Sequence, residues 1–207
     1  KGDRIALIAT NCPEWNMIDL AIQQVGAICI PIYPTISHAD YEYIFNHSEA
    51  SIVFVINKHL YNKVSDIIAS TPSIKDTFLI RPSEGLKSLQ ELIELGNENR
   101  DEAALEARKA EVKNEDVATI IYTSGTMGTP KGVMLTHRNI LSVVEYLCPL
   151  YPIDETHNAI SYLPLSHIYE RTVQYCHIYL GCSTYYVDNL GAIVETMGEI
   201  KPHHFSS

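Results

Sequence analysis

The sequence is short of positive charge. Its 207 residues hold 15 Lys and Arg against 25 Asp and Glu, a formal net charge of −10. The basic residues are scattered, which argues against nucleic acid as a partner, because phosphate contacts need clustered Lys and Arg. No CxxC occurs, and the five cysteines (Cys12, Cys29, Cys148, Cys176 and Cys182) are odd in number. That pattern suits free, mostly buried thiols in a reducing compartment rather than a disulfide framework. Cys176, His177 and Cys182 lie close together, but their spacing matches no common zinc site and no second ligand pair is evident, so core cysteines are the better reading. No apolar run approaches the roughly 20 residues that span a bilayer. No leader segment is visible either: residues 1–10, "KGDRIALIAT", already look like a strand. Repeats and low-complexity segments are absent. What is present is ordinary globular composition, 46% hydrophobic and 19% charged, on a chain long enough to bury a core without metals or disulfides.

Apolar segments alternate with helical ones. Residues 4–10 read as a strand buried on both faces. Asn11 can cap the following helix, with Pro13 in its first turn. Trp15, Ile18, Ile22 and Val25 recur at helical spacing and Gly26 ends the run. Residues 27–32 form the next strand, and Ser37 can cap "HADYEYIFNHS". Strand "ASIVFVIN", helix "HLYNKVSDIIAS" and strand "DTFLI" follow. Residues 98–116 are charged throughout, which fits an interaction tail or, better, a solvated surface helix or linker. This stretch is the one candidate for a break between sub-units. Beyond it come a helix from about Arg138, strand "NAISYLP", helix "HIYERTVQYCHIYL", strand "STYYV" and a helix near "GAIVETMGEI". The alternation predicts an α/β fold, a mostly parallel sheet flanked by helices, without a true domain boundary.

Between two strand-like segments stands residues 122–132, "YTSGTMGTPKG". Gly125, Gly128 and Gly132 let a backbone turn sharply and bring amide N–H groups to a ligand. Thr123, Ser124, Thr126 and Thr129 add hydroxyls, and Lys131 adds one mobile charge. Such a set suits a polyphosphate. It is not the GxxxxGK[ST] loop: Pro130 precedes Lys131, no Ser or Thr follows, and "GVMLT" reads as a strand where a Walker loop enters a helix. On composition alone a Ser/Thr/Gly-rich hairpin turn competes with the phosphate reading. The flanking strands, near 118–123 and 132–136, are expected to run antiparallel, because so short a loop makes no parallel crossover.

The order of residues in "YTSGTMGTPKGVMLTHRN" resembles the phosphate-loop signature of the adenylate-forming enzymes. "GDRIALIATNCPEWNMIDLAIQQVGAICIPIYPTIS" looks like that family's opening segment and "SYLPLSHIYERT" like its next motif, so the resemblance covers essentially the whole chain. One departure is Met127, where the family usually has Thr or Ser. The resemblance implies that residues 1–207 are part of the large N-terminal AMP-binding domain of an acyl-CoA synthetase-like enzyme. It implies a two-step reaction, in which a carboxylate attacks the α-phosphate of ATP and a thiol, usually coenzyme A, then displaces AMP. It places Thr123, Ser124, Gly125, Thr126, Gly128 and Lys131 around the ATP phosphates, Thr123 also near Mg2+, and His167 near the carboxylate and nucleotide. Without the family, His167 would read as a helix-start histidine bonded to backbone. Glu170 and Arg171 are left out of the site, as a surface pair or local structure, and His203 and His204 are expected to carry no chemistry.

Amino-acid adenylation domains resemble "FDxS" where this chain has "SHIYERT", so the aspartate for a substrate ammonium is missing. "LPLSHIYERT" is similar to long-chain fatty acyl-CoA synthetases, which makes a long-chain fatty acid the expected substrate, with ATP, Mg2+ and coenzyme A. The alternatives are another carboxylate-adenylating enzyme of the same superfamily, or a non-catalytic nucleotide- or acyl-binding module. The family's ribose-binding aspartate, hinge and catalytic lysine have no counterpart here, so this segment alone is expected to be inactive. The cytoplasm is the expected compartment, with peripheral membrane contact of the longer protein as a further option.

Overall fold

Ala6, Leu7, Ile8, Ile30, Ile32, Val53 and Val55 are all buried, as strands covered on both faces must be. They belong to β1 (Arg4–Ile8), β2 (Ile28–Ile32) and β3 (Ile52–Val55). The protein is described here from a computed structural model, which covers residues 1–123, 129–187 and 189–206. Helix α1 (Pro13–Gln24) joins β1 to β2, α2 (His38–Ser48) joins β2 to β3, and α3 (Lys58–Ser70) leads to β4 (Asp76–Leu79). Helices α4 (Leu89–Glu98) and α5 (Glu102–Ala110) precede β5 (Val117–Thr123), which pairs with β6 (Lys131–Thr136). Strand order in this six-stranded sheet is β4-β3-β1-β2-β5-β6. All neighbours are parallel except β5 and β6, which are antiparallel, as the short connection requires.

Helix α6 (His137–Leu147) then leads to a second sheet. Its strands are β7 (Asn158–Ser161), β8 (Ser183–Tyr186) and β9 (His204–Phe205), connected by α7 (Ile168–Leu180) and α8 (Ile193–Ile200). The order is β8-β7-β9, all parallel. The charged stretch forms the exposed helix α5, with no buried residue, and β5 beyond it returns to pair with β2. The change of sheet falls between β6 and β7.

Local chemistry explains most helix starts. Ser37 and Asn57 cap α2 and α3 through their side chains. Ser88 and Thr136 form capping boxes at α4 and α6. Helix α1 departs from the expectation: Cys12 holds the cap position without a side-chain bond, and Pro13 opens the helix. Asn11 is turned instead toward the second sheet, where stronger partners await it. Trp15, Ile18 and Ile22 are buried against the first sheet as their spacing predicts, whereas Val25 stays 38% exposed.

Candidate active site

In the first sheet the chain runs outward from β1 to β2 and then crosses back to β3. In the second, β7 is flanked on opposite sides by β8 and β9. Each sheet therefore has a point where the strand order reverses, and the carboxyl ends there diverge to leave a crevice. The two crevices face one another across a single cleft of about 310 Å3. Thr10 and Asn11 enter it from the end of β1, Tyr33 and Thr35 from β2, Tyr162 and Leu163 from β7, and Val187 from β8. Its wall is mostly apolar with a few hydroxyls, the character of a small-molecule site.

His167 stands beside this cleft, at the N-cap position of α7. Its side chain does not cap the helix, which removes the backbone-bonded alternative. The exposed imidazole lies instead 5.9 Å, centroid to centroid, from the ring of Tyr33. The strand-to-helix junction expected from the sequence is thus where His167 sits.

Residues 122–132 begin at the carboxyl end of β5 and run into β6. Thr123 and Lys131 are cross-strand partners that bracket residues 124–130, and both are exposed. Directly paired residues share a face, so the hydroxyl and the ammonium stem rise from the same side of the sheet. Alternation along β5 puts Thr119 on that side too, and the Thr119 hydroxyl contacts Arg171 of α7. Thr123, Lys131 and the helix that carries His167 are therefore on one side of the sheet. Ser124, Gly125, Thr126 and Gly128, the remaining expected phosphate ligands, lie outside the described residues. Gly132 has a different reason from the one its loop position suggested. It lies within β6, opposite Tyr122, and a Cβ there would meet Ile120 Cγ2 at 2.8 Å and Tyr122 Cζ at 3.3 Å. The space is taken by Ile120 and the Tyr122 ring, and the Tyr122 hydroxyl bonds His47 Nδ1 at 2.7 Å on the opposite face. Burial, with nearby Tyr43 adding to it, pushes that phenol up to about 12.

Arg171 and Glu170 are not a surface pair. Both are buried, at 0% and 1% exposure. The Arg171 guanidinium pairs with both carboxylate oxygens of Asp19, reaches Tyr175 Oη at 2.8 Å and Thr119 Oγ1 at 2.7 Å, and lies 5.4 Å from the centroid of the Trp15 ring. It joins α1, α7 and β5 through one side chain. Glu170 accepts from Ser161 Oγ at 2.6 Å and from Gln174 Nε2 at 3.2 Å. Burial raises its carboxyl above the ordinary value, and the two bonds oppose that rise. Gln174 also meets His177, and His177 Nε2 lies 3.0 Å from His204 Nδ1. Burial, and secondarily His204, lower His177 to about 4, so it is neutral.

These contacts expose what reading the sequence missed. Asn11, Asn16, Asp19 and Gln23 form a polar stripe leading into and along α1. Asn11 bonds the β7–α7 turn, Asn16 bonds Tyr186 Oη at 2.6 Å, Asp19 bonds Arg171, and Gln23 bonds Tyr175 Oη at 2.8 Å. In sequence such a stripe looks like a solvated face beside the apolar one. The absence of Lys and Arg from α1, whose charged residues are Glu14 and Asp19, was the available signal. The five cysteines are all buried and unbridged. Cys176 sits in an apolar cluster with Cys148, and Cys182 in another with Ile153. Among the described residues no group of His, Cys, Asp or Glu is arranged to hold a metal, and no helix is long and apolar enough to cross a membrane.

Comparison with known proteins agrees with this architecture. The chain is 30% identical over 203 residues to a long-chain-fatty-acid–CoA ligase of Mycobacterium bovis, covering 97% of this chain and 34% of that protein. It is 31% identical over 220 residues to the peroxisomal long chain acyl-CoA synthetase 6 of Arabidopsis thaliana, covering 100% of this chain and 30% of that one. The crystal structure of a long-chain-fatty-acid–CoA ligase from Archaeoglobus fulgidus superposes with a TM-score of 0.80 at 26% identity, over 98% of this chain and 38% of that one. The chain thus spans about a third of the length of the curated relatives it matches. The family model described as AMP-binding enzyme matches residues 1–207 in full, and the chain belongs to that family.

Proposed function

We propose that the full-length protein activates a long-chain fatty acid with ATP and passes the acyl group to coenzyme A. The observation that carries this reading is the placement, at the carboxyl ends of the strands, of the cleft, of His167 beside Tyr33 and of the Thr123–Lys131 pair that flanks residues 124–130. The names of the relatives supply the acid and the thiol.

In this reading the fatty-acid carboxylate enters beside His167 and Tyr33, and a carboxylate oxygen attacks the α-phosphorus. The P–O bond to pyrophosphate breaks and its electron pair leaves with pyrophosphate. Little covalent work falls to the protein, and the rate comes from positioning and charge stabilisation. Lys131 supplies a point charge to the β- and γ-phosphates, and Ser124 and Thr126 donate hydrogen bonds with the glycine amides. Thr123, an exposed hydroxyl at the strand end, is the residue that would ligate Mg2+, which when bound neutralises phosphate charge. His167 orients the carboxylate and keeps the reacting oxygen next to the nucleotide. In the second step the thiolate sulfur of coenzyme A attacks the acyl carbonyl and AMP leaves.

The test is fatty-acid-dependent ATP–pyrophosphate exchange by the full-length protein. Lys131→Ala is expected to lower kcat/KM for ATP by about 100-fold, on the scale of losing one charge-stabilising donor, while fatty-acid binding by titration calorimetry stays within about twofold. Equal losses toward both ligands would remove Lys131 from the phosphates.

A further inference from the structure

Asn11 was expected to cap α1 and does not. It is only 7% exposed, although it sits at the carboxyl end of a strand beside an open cleft. Its amide is fully engaged by one short stretch of the second sheet. Nδ2 donates to the Leu163 carbonyl at 2.7 Å and to Ser161 Oγ at 3.0 Å, and Oδ1 accepts from the Leu165 amide at 3.1 Å. Those three partners are the last residue of β7 and two residues of the turn that ends at His167. Besides Asn11, the turn is held by Leu165, whose buried side chain packs into the main core, and, among the described residues, its own backbone contributes the His167 amide bonded to the Pro164 carbonyl at 3.0 Å. Ser161, which accepts from Asn11, donates in turn to buried Glu170 in the first turn of α7. The restraint therefore reaches His167 from both ends, from the turn before it and from the helix after it.

We infer that Asn11 is a positioning residue for the adenylation chemistry: it fixes the 161–167 turn against the end of β1 and so sets where the imidazole of His167 stands beside the cleft. The inference rests on the functional reading above. The amide is the one short side chain that suits the task. It offers two donors and an acceptor in one plane, whereas aspartate at this position sets a carboxylate oxygen against the Leu163 carbonyl and alanine leaves Leu163 and Leu165 without partners. Shifts of about 1 Å in a catalytic group can cost on the order of 100-fold in rate, so a side chain that touches no reacting atom can still govern turnover.

A double-mutant cycle in the full-length protein tests this. Exchange rates, KM for fatty acid and KM for ATP are measured for Asn11→Ala, His167→Ala and the double variant, with thermal melting of each. Asn16→Ala, an equally buried contact between α1 and the second sheet, serves as the control. Asn11→Ala is expected to lower kcat by at least 10-fold, with KM for ATP within twofold, and to cost less than threefold once His167 is already alanine. Non-additivity of that kind marks residues that act through one another. Losses that multiply in full, or a drop in melting temperature with unchanged kcat, overturn the inference, as does a loss in Asn16→Ala equal to that in Asn11→Ala. A second readout is independent of activity. Amide hydrogen exchange at Leu165 and His167 is expected to quicken at least 10-fold in Asn11→Ala while β1 and α1 keep their protection, and unchanged exchange there overturns the inference. If the wild-type protein shows no fatty-acid-dependent exchange, the functional reading falls and the amide measurement decides Asn11 by itself. If Asn11→Ala does not fold, Asn11→Asp, which keeps the shape and the acceptor, takes its place in both measurements.

Discussion

Single residues here carry more than one duty, and those duties can be separated. Gly132 belongs to the loop motif, yet its missing side chain makes room for Ile120 and Tyr122. Gly132→Ala is expected to destabilise the fold by about 1–3 kcal/mol, the range for forcing an extra methyl into a packed site, measured as a lower urea midpoint. A midpoint unchanged within error would mean that Ile120 and Tyr122 move aside freely. His177 gives a pH dependence. Its pKa is near 4 in the folded chain against roughly 6.5 when exposed. Between those values the unfolded state binds the extra proton. The stability it contributes is present above about pH 6.5 and is lost as pH falls toward 4. His204, also lowered by burial, acts in the same direction. Glu170, raised by burial, acts in the opposite direction and offsets part of the loss as the pH falls past the carboxylate range. From pH 7 to pH 5 His177 alone is worth about 2 kcal/mol. Urea unfolding, followed through Trp15, should therefore lose stability over that interval, and His177→Gln should lose markedly less. Parallel curves for the two proteins would remove His177 as the cause. Neither duty was visible in the sequence: a glycine beside a phosphate-type loop reads as part of the loop, and a histidine within "VQYCHIYL" gives no sign that it is completely enclosed.

Secondary elements with a simple hydrophobic period were legible, and those held by long-range polar contacts were not. Strands β1, β2 and β3 announce themselves as apolar runs, and the antiparallel turn at β5–β6 follows from loop length alone. Ser37 declares the start of α2. The segment "HIYERTVQYCHIYL" holds α7 as its pattern predicts, but its arginine and glutamate, expected as a surface pair or local structure because charge in a helix is usually solvated, are buried. For Arg171, what overrides that rule is a partner 152 positions away in the chain, which no local pattern reveals. The consequence is testable on α7 itself. Removing one member of a buried ion pair leaves the other charged and uncompensated, at a cost of about 3–5 kcal/mol. Arg171→Met is expected to fall in that range by chemical denaturation, and Asp19→Leu combined with Arg171→Met to recover most of the loss. A double variant as unstable as the single would show that the guanidinium matters through packing on Trp15 and not through its charge partner.

For the whole molecule, the family and the mixed α/β architecture could be read from motif order and alternation, whereas the facing of two switch points across one cleft could not, because it depends on how two sheets are stitched together. The chain spans 34% of the first matched ligase, and expressed alone it is expected to give no fatty-acid-dependent ATP–pyrophosphate exchange, since adenylation needs donors held in a dry, preorganised pocket. Exchange above background that disappears in Lys131→Ala would show that these residues suffice for the first step. The stitching has a further consequence. Asn11, just before α1, and Asn16, Asp19 and Gln23 on it are hydrogen-bonded to the β7–α7 turn, to β8 and to α7, and hydrogen bonds tolerate far less sliding than apolar contacts do, weakening steeply with angle and distance. Helix α1 works as a row of dowels: its polar edge pins α7 and the second sheet in register, while its apolar edge grips the first sheet. Of the four, Asn11 alone also lines the cleft, so changes along the rest of that edge are expected to show as a lower melting temperature and changes at Asn11 in the cleft itself.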